Sequence, residues 1–350
     1  MHESIRHELE HHVAILRSLR TPRGLFLAAA APGVQTGYDK SWLRDNFYEV
    51  RALEELGAWE ESAQTWHALL DIFLKYEDKI QWAIQERPRF AYQYIHARYH
   101  PETFEEFWEE WGNKQNDAIG CILFAIGTRE LAGHSVVRDE HDRRIIGRLV
   151  QYLSTIEYWH DPDNGVWEEY EEVHASSIGA CVAGLTKVRD AHLADVSESV
   201  IEHGIEALNR LLPRESASKF TDLALLSLIF PYRVVSDEQE RAILSNLEYH
   251  LERDRGIVRY KNDRYYNANE DGWSEEAEWT MGFPWLSIIY RERGDRVRAE
   301  HWLDQARAAC DAEGRLPELY FSHTDVPNEN TPLGWSESLF IIALSRAMHT

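Results

Sequence analysis

Apolar side chains recur at intervals of three and four residues along most of the chain, the spacing that gathers them on one face of an α-helix. The ends of the predicted helices carry stop and start signals. Gly57 and Gly294 each follow one helix directly before the next, as C-terminal glycines do. Ser236, with Gln239 three residues on, has the pattern of a capping box. We predict twelve helices, which cover residues 2–19, 40–57, 59–77, 114–133, 138–157, 174–191, 195–212, 219–230, 236–251, 275–293, 295–311 and 335–347.

The connections between these helices predict the architecture. No linker rich in Pro, Gly or Ser interrupts them, so residues 1–350 are expected to form one domain. Tight turns alternate with longer loops, which favours six helical hairpins closed into an all-α (α/α)6 barrel. An open helical solenoid is the main alternative, but the sequence lacks the repeating motif of a solenoid. In a closed ring the longer loops would meet at one mouth, and short strands are expected in them at Lys79–Glu86 and Gly256–Tyr260.

Charge and aromatic content restrict the class of partner. Lys and Arg number 37 against 60 Asp and Glu, a net charge of −23 that repels nucleic acid and anionic membranes. A small neutral molecule is therefore the expected partner. The 13 Trp, 16 Tyr and 12 Phe either pack the core or stack on sugar rings. The sequence shows neither a signal-peptide pattern nor a long apolar run, so we expect a cytoplasmic protein. The three cysteines have no metal-ligand spacing, and we expect no metal or cofactor.

Four loop segments carry groups that could do chemistry. Tyr38–Asp45 places a guanidinium beside a carboxylate at a helix start, which is either a cap with a salt bridge or a pair that binds hydroxyls. Asn164–His174 crowds four carboxylates beside Trp and Tyr, either as a solvated acidic turn or as an acid with a raised pKa. In Gly314–Tyr320 a glutamate follows a proline, and Leu333–Glu337 opens the last helix with a tryptophan. Considered separately, this glutamate would be expected on the surface and this tryptophan in the core.

The sequence lacks the motifs of three other kinds of site. The sequence contains no glycine-rich phosphate loop, no His-Glu-x-x-His metal motif and no Gly-x-Ser-x-Gly nucleophile elbow.

Together, the ordered segments resemble glycoside hydrolase family 15, the glucoamylases and their bacterial relatives. The resemblance is carried by Trp42–Asp45, Gln115–Ala118, Gly165–Glu169, Leu316–Glu318 and Trp335–Ser336, in the order of the family's motifs and over nearly the whole chain.

A second resemblance is to the glucoamylase-like domain of the large regulatory subunits of phosphorylase kinase. It is carried by Ala175–Gly179, Leu211–Lys219 and Leu316–Tyr320.

The family resemblance implies an (α/α)6 barrel and an inverting hydrolysis by two glutamates. Glu168 would be the general acid and Glu318 the general base, although 150 positions separate them in the sequence. In the inverting geometry the two carboxyl groups stand roughly 6.5–9.5 Å apart, which leaves space for the attacking water. Only a closed barrel could bring the two loops together.

The resemblance also implies a binding site for a terminal glucose. Arg44 and Asp45 would bind its hydroxyl groups, and Glu169 or Glu172 would support the acid. Arg259 and Tyr260 would contact the second sugar. The remaining expected contacts are Trp42, Trp111, Asp117, Trp167, Trp285 and Trp335.

We expect release of β-glucose from short α-gluco-oligosaccharides, with isomaltose ahead of maltose. Rings in the loops, including Trp108, Tyr265, Tyr266 and Trp273, would enclose the second sugar or simply pack the loops onto the barrel. The alternatives are a trehalase or a maltose-acting glucoamylase on the same fold, and a non-catalytic glucan-sensing domain. A sugar epimerase would need paired histidines, and a purely structural scaffold would leave the loop aromatics unexplained.

Overall fold

The computed structural model describes residues 2–30, 36–109, 111–267 and 275–349. Its helices are α1 (His2–Ser18), α2 (Leu43–Glu55), α3 (Trp59–Lys75), α4 (Glu77–Glu86), α5 (Asn116–Leu131), α6 (Glu140–Ile156), α7 (Ala175–Asp190), α8 (Glu198–Leu211), α9 (Leu226–Ile229), α10 (Asp237–Leu251), α11 (Gly282–Glu292), α12 (Arg296–Ala308) and α13 (Gly334–Met348). The strands β1 (Ser41–Trp42) and β2 (Arg98–Tyr99) form one antiparallel pair, and β3 (Glu278–Trp279) and β4 (Leu319–Tyr320) form another.

The helices form two concentric layers, so the predicted barrel is confirmed. In the inner ring α2 packs on α5, α5 on α7, α7 on α9, α9 on α11, α11 on α13, and α13 again on α2. These helices are buried on almost every side. The outer helices α1, α3, α6, α8, α10 and α12 bury one face and expose the other, as amphipathic helices do. That the whole chain is one domain stays a prediction.

Glycines bring two inner helices unusually close together. A Cβ on Gly120 of α5 would lie 2.5 Å from the carbonyl carbon of Ala180 in α7, and one on Gly184 of α7 would lie 2.4 Å from the Gly120 carbonyl oxygen. Only glycine allows this approach at these positions, since real Cβ atoms do not come so near to backbone.

The predicted helix signals hold at three positions. Gly57 and Gly294 adopt positive φ angles of 75° and 77° just after α2 and α11. Ser236 and Gln239 form the capping box of α10. Among the helices of the described residues, none has the length and apolar content needed to cross a membrane.

Four elements differ from the expectation. The strand predicted at Lys79–Glu86 is wrong, because this segment lies in α4, where Ile80 and Ala83 share a buried face. Residues 256–260 form isolated bridges only, such as Ile257 to Trp279. The helix predicted at 219–230 shortens to α9 after a 3-10 turn, Leu223–Leu225. The helix predicted from 275 begins at Gly282, because β3 occupies the residues before it.

Candidate active site

The N-terminal ends of the inner helices and the loops before them surround a central cavity of about 240 Å³. The short pairs β1–β2 and β3–β4 hold these loops in place, because each pair joins segments distant in sequence. The central cavity is lined by Ala28, Tyr38, Trp42, Arg44, Asp45, Trp111, Val166, Trp167, Glu168, Glu169, Arg259, Tyr265, Trp279, Met281, Glu318, Leu333 and Trp335. Glu168 and Glu318, the two expected catalytic residues, are both among them.

Glu168 has a strained backbone and a largely buried carboxyl group. Its φ angle of 64° lies in the left-handed region, which costs a residue other than glycine free energy and is often found at functional sites. Its Oε1 accepts a hydrogen bond of 3.2 Å from Arg44 Nη2. Burial raises the pKa of Glu168 to about 8, because Asp45 reinforces the effect of burial while Arg44 and Arg98 only partly oppose it. A carboxyl group with this pKa carries a proton near neutral pH and can donate it.

Arg44 is held from behind by two acceptors. Its Nη1 donates to Gln115 Oε1 over 2.8 Å and to Asp117 Oδ2 over 2.9 Å. Asp117 lies beneath Arg44 and does not line the central cavity, so it orients the guanidinium and is not placed to touch a sugar. Burial raises the pKa of Asp45, the neighbouring cavity residue, to about 6 against the opposing charge of Arg44.

Glu318 is buried and receives three hydrogen bonds. Its Oε1 accepts from the Tyr38 hydroxyl over 2.6 Å, and its Oε2 accepts from Asn330 Nδ2 over 2.8 Å and from Asn328 Nδ2. Burial raises the pKa of Glu318, while these three donors oppose the rise by favouring the charged form. The carboxylate is therefore fixed in one orientation, with its charge partly compensated.

Of the two candidate supporting carboxylates, the structure brings only Glu169 to the central cavity. Its Oε1 accepts from Arg259 Nη2 over 3.0 Å, and its Oε2 accepts from the Tyr260 hydroxyl over 2.5 Å and from Lys219 Nζ over 3.0 Å. Arg259 is held in turn by Asp263, over two contacts of 2.7 Å.

Glu172 lies outside the central cavity. It accepts hydrogen bonds from the hydroxyl groups of Ser216 and Ser218, over 2.5 and 2.7 Å. Burial acts to raise the pKa of Glu172, but these hydrogen bonds outweigh it and lower the pKa.

Four of the five expected tryptophan contacts, Trp42, Trp111, Trp167 and Trp335, line the central cavity. The placement of Trp285 as a wall is corrected by the structure. Trp285 is fully buried in the barrel, where its Nε1 donates to the Phe230 carbonyl over 2.8 Å and its ring packs beneath Trp335. Trp285 lies in the first turn of α11, but its indole is directed to the Phe230 carbonyl and not into the central cavity.

The loops outside the central cavity form a wider opening. A depression of about 960 Å³ shares Trp111, Glu168, Glu169 and Tyr265 with the cavity and adds Tyr260, among others. The aromatic side chains expected to enclose the second sugar line this opening only in part. Tyr266 donates to Glu329, Trp108 is 96% exposed in a separate groove beyond Trp111, and Trp273 lies outside the described residues.

Sequence reasoning missed several groups at this site. Tyr38 belonged to a segment that stood out, yet nothing in its spacing pointed to Glu318. Asn328 and Asn330 lie ten and twelve residues after the glutamate and carry no sequence signal. Trp279 was assigned to a helix, whereas it lies in β3 with its ring 4.7 Å from the Arg259 guanidinium.

Comparison with known proteins places the chain in a family. The family model described as glycosyl hydrolases family 15 matches residues 13–342. A probable phosphorylase b kinase regulatory subunit alpha from Caenorhabditis elegans is 28% identical, over 86% of this chain and 30% of that protein. An uncharacterized glycosyl hydrolase from Methanocaldococcus jannaschii is 25% identical, over 89% of this chain and 52% of that protein. The chain thus spans about a third to a half of the length of these relatives.

Solved structures share the fold. A wild-type glycosidase superposes with a TM-score of 0.83 at 19% identity, over 99% of this chain and 97% of the other. A variant glycosidase in complex with glucose gives 0.82 at 19% identity, over 99% and 98% of the two chains. The glucoamylase of Saccharomycopsis fibuligera gives 0.72 at 14% identity, over 100% and 96%. With its sequence matched from residue 13 to 342, the chain belongs to glycoside hydrolase family 15.

Proposed function

We propose that this protein is an inverting, exo-acting α-glucoside hydrolase that releases β-glucose from the non-reducing end of short α-gluco-oligosaccharides. The observation that carries the proposal is that Glu168 and Glu318 line the same cavity, one with a pKa raised to about 8 and the other held by three hydrogen-bond donors. Two carboxyl groups in different environments are what paired acid and base catalysis needs.

The proposed reaction transfers one proton at each carboxyl group. Protonated Glu168 donates its proton to the glycosidic oxygen as the bond from that oxygen to the anomeric carbon breaks. Ionised Glu318 takes a proton from a water molecule as the water oxygen bonds to the anomeric carbon from the opposite face. Glu168 ends ionised and Glu318 protonated, and proton exchange with solvent restores both.

The size of the central cavity supports exo action on one sugar at a time. Its volume of about 240 Å³ lies just below the roughly 300–1,000 Å³ typical of pockets for drug-sized ligands. Arg44 and Asp45 would bind the hydroxyl groups of the terminal glucose, and the Trp42 and Trp335 rings would face its C–H groups. Trp285 and Tyr48 pack behind Trp335, which closes the inner end.

The linkage would be selected in the wider depression, where the second sugar meets Trp111, Tyr260 and Tyr265. An α-1,6 bond adds one rotatable link, so a site that holds a single rotamer would favour isomaltose over maltose. Arg259 supports this site indirectly, because it positions Glu169.

A glucose-release assay on isomaltose, maltose, trehalose and soluble starch tests the proposal. We expect isomaltose to give the highest kcat/KM. Starch or maltose used at least as well would contradict the linkage preference, and trehalose as the best substrate would make the protein a trehalase.

The similarity to phosphorylase kinase regulatory subunits favours one second candidate, a non-catalytic glucan-sensing domain. Binding of these sugars without any release of glucose would support that candidate and reject the hydrolase.

A further inference from the structure

A second cavity, of about 390 Å³, lies at the end of the barrel opposite the central cavity. The inner helices α2, α5, α7, α11 and α13 begin at the mouth and contribute residues near their C-terminal ends to this second cavity, which we call the basal pocket. Along α13, Trp335 lines the central cavity and Arg346 lines the basal pocket. Eleven helical residues separate roughly 16 Å at 1.5 Å per residue, so the two cavities are distinct.

The basal pocket is basic although the protein is strongly acidic. Among the described residues, its lining contains four cations, Arg51, Lys187, Arg233 and Arg346, and one carboxylate, Glu292. Glu292 pairs with Arg233 over 2.9 Å and with Arg346 over 2.6 Å, and Arg346 also pairs with Glu55. Two of the four cations are therefore compensated within the protein.

The other two cations have no such partners in the described part of the chain. The buried Nε of Arg51 makes no hydrogen bond, and no carboxylate forms an ion pair with its guanidinium, which lies 5.4 Å from the Phe230 ring. Burial lowers the pKa of Arg51 and the charge of Arg346 adds to this effect, while Glu54 and Glu55 oppose it without forming an ion pair with Arg51. Within the described ranges, the buried hydroxyl of Thr128 also lacks a hydrogen-bond partner, and Lys187 Nζ has no carboxylate within ion-pair distance.

Helix capping accounts for the position of Lys187, which lies in the last turn of α7, but it does not explain Arg51 or Thr128. Basic residues are favoured at helix C-termini, where they offset the dipole and donate to the last carbonyl groups. Arg51, however, donates to no carbonyl group of the described residues, and the Thr128 hydroxyl does not return to its own helix. A buried cation without an acceptor is costly, and a bound anion would remove that cost.

We propose that the basal pocket binds a small phosphorylated metabolite, whose phosphate group lies between Arg51, Lys187 and Thr128. A phosphate monoester carries about −1.5 to −2 charges at neutral pH, which matches the two uncompensated cations. Its oxygens accept from guanidinium, ammonium and hydroxyl donors. Phe124, Phe230 and Tyr232 form an apolar wall for the organic part, and the pocket volume exceeds what a bare phosphate ion fills.

Isothermal titration calorimetry on the full chain, at constant ionic strength, tests the proposal with glucose 6-phosphate and inorganic phosphate as probes. We expect one equivalent of glucose 6-phosphate to bind more tightly than inorganic phosphate. Arg51→Gln and Lys187→Gln should each raise Kd by about tenfold or more, and Thr128→Val by about fivefold, as expected for charged and neutral hydrogen bonds. Lys187→Gln and Thr128→Val keep the test valid if Arg51→Gln fails to fold.

Two matched variants serve as controls. Arg241→Gln removes the same charge from an exposed position on α10 and should leave Kd unchanged. Arg44→Gln removes a group that is expected to bind the terminal glucose in the central cavity, and it should also leave Kd unchanged, because the central cavity is not the binding site. The proposal is overturned if neither probe binds at millimolar concentration, if Arg241→Gln weakens binding as much as Lys187→Gln, or if inorganic phosphate binds as tightly as glucose 6-phosphate.

Discussion

At the scale of single residues, Glu168 shows how three local conditions produce one property. The turn from Gly165 places it in a left-handed conformation, with its amide donating to the Gly165 carbonyl over 3.2 Å. The rings around the central cavity remove most of the water from its carboxyl group. Asp45 then adds a like charge, and the proton affinity rises although Arg44 is in contact.

Glu318→Gln is expected to keep the fold and the binding of sugar while it lowers kcat by about 10²–10⁴, the usual contribution of a general base. The amide keeps the shape of the side chain but cannot take a proton from water. Initial rates of glucose release on the best substrate measure the effect. Glu313→Gln, the same change at an exposed position nearby, should retain full activity. A Glu318→Gln variant that retains more than about a tenth of the activity would exclude Glu318 as the base.

The pH profile of kcat/KM should have an alkaline limb near pH 8. Glu168 must be protonated to act as the acid, so activity is lost as pH rises through its pKa of about 8. Glu318 must be ionised, so the acidic limb should lie above the ordinary carboxyl range, in the direction of its raised pKa.

Asp45→Asn should move the alkaline limb to lower pH, because it removes a negative charge that raises the pKa of Glu168. Asp39→Asn, the same change at an exposed position, should leave the limb in place. An alkaline limb that stays near pH 8 in Asp45→Asn would show that this charge does not set the proton affinity of the acid.

At the scale of elements, the close pair α5–α7 depends on glycine. Gly120→Ala should destabilise the protein by about 1–3 kcal/mol, the usual cost of adding atoms to a tightly packed interior. The added methyl group would meet the backbone of Ala180, which cannot rotate away. Gly147→Ala in α6, where a Cβ meets nothing within 4 Å, should instead stabilise by roughly 0.5–1 kcal/mol. Urea unfolding followed by circular dichroism measures both, and equal stability of the two variants would refute the packing argument.

The elements that were not predicted from the sequence include those that form only through pairing with neighbouring segments. A two-residue strand such as β3 exists only because β4 and Ile257 pair with it, so no local pattern predicts it. In α4 the buried face is narrow, with only Ile80 and Ala83 buried, and a single residue, Tyr76, separates this helix from α3.

At the scale of the whole molecule, closure of the helical ring brings Glu168 and Glu318 to the same cavity. Glu168 follows α6 and Glu318 precedes α13, and both line the central cavity because α13 packs back onto α2. If the two carboxyl groups act in the inverting geometry that we propose, the first product must be β-glucose. Proton NMR of the anomeric signals during early turnover, before mutarotation, is the direct measurement. Appearance of α-glucose before β-glucose would indicate a retaining reaction and would reject the proposed roles of Glu168 and Glu318.

The sequence by itself determined the barrel and the segments that carry the site. Helical periodicity and capping signals are local properties, written into residues a few positions apart, so α1, α3, α10 and α13 could be located from them. The acidic run around Glu168 and the Arg44–Asp45 pair could also be identified from the local composition of the sequence.

Only the tertiary structure decided which side chains meet. Glu169 and Glu172 are indistinguishable in the sequence, but a hydrogen bond to Arg259 holds one at the cavity and the serine hydroxyls hold the other outside it. Trp285 and Trp335 both lie in the first turn of an inner helix, and only the structure shows that Trp335 lines the cavity while Trp285 is buried behind it. The hydrogen bond of Asn328 with Glu318, and the absence of a hydrogen-bond partner for Arg51 Nε among the described residues, arise from how distant segments pack, and packing has no local signature in the sequence.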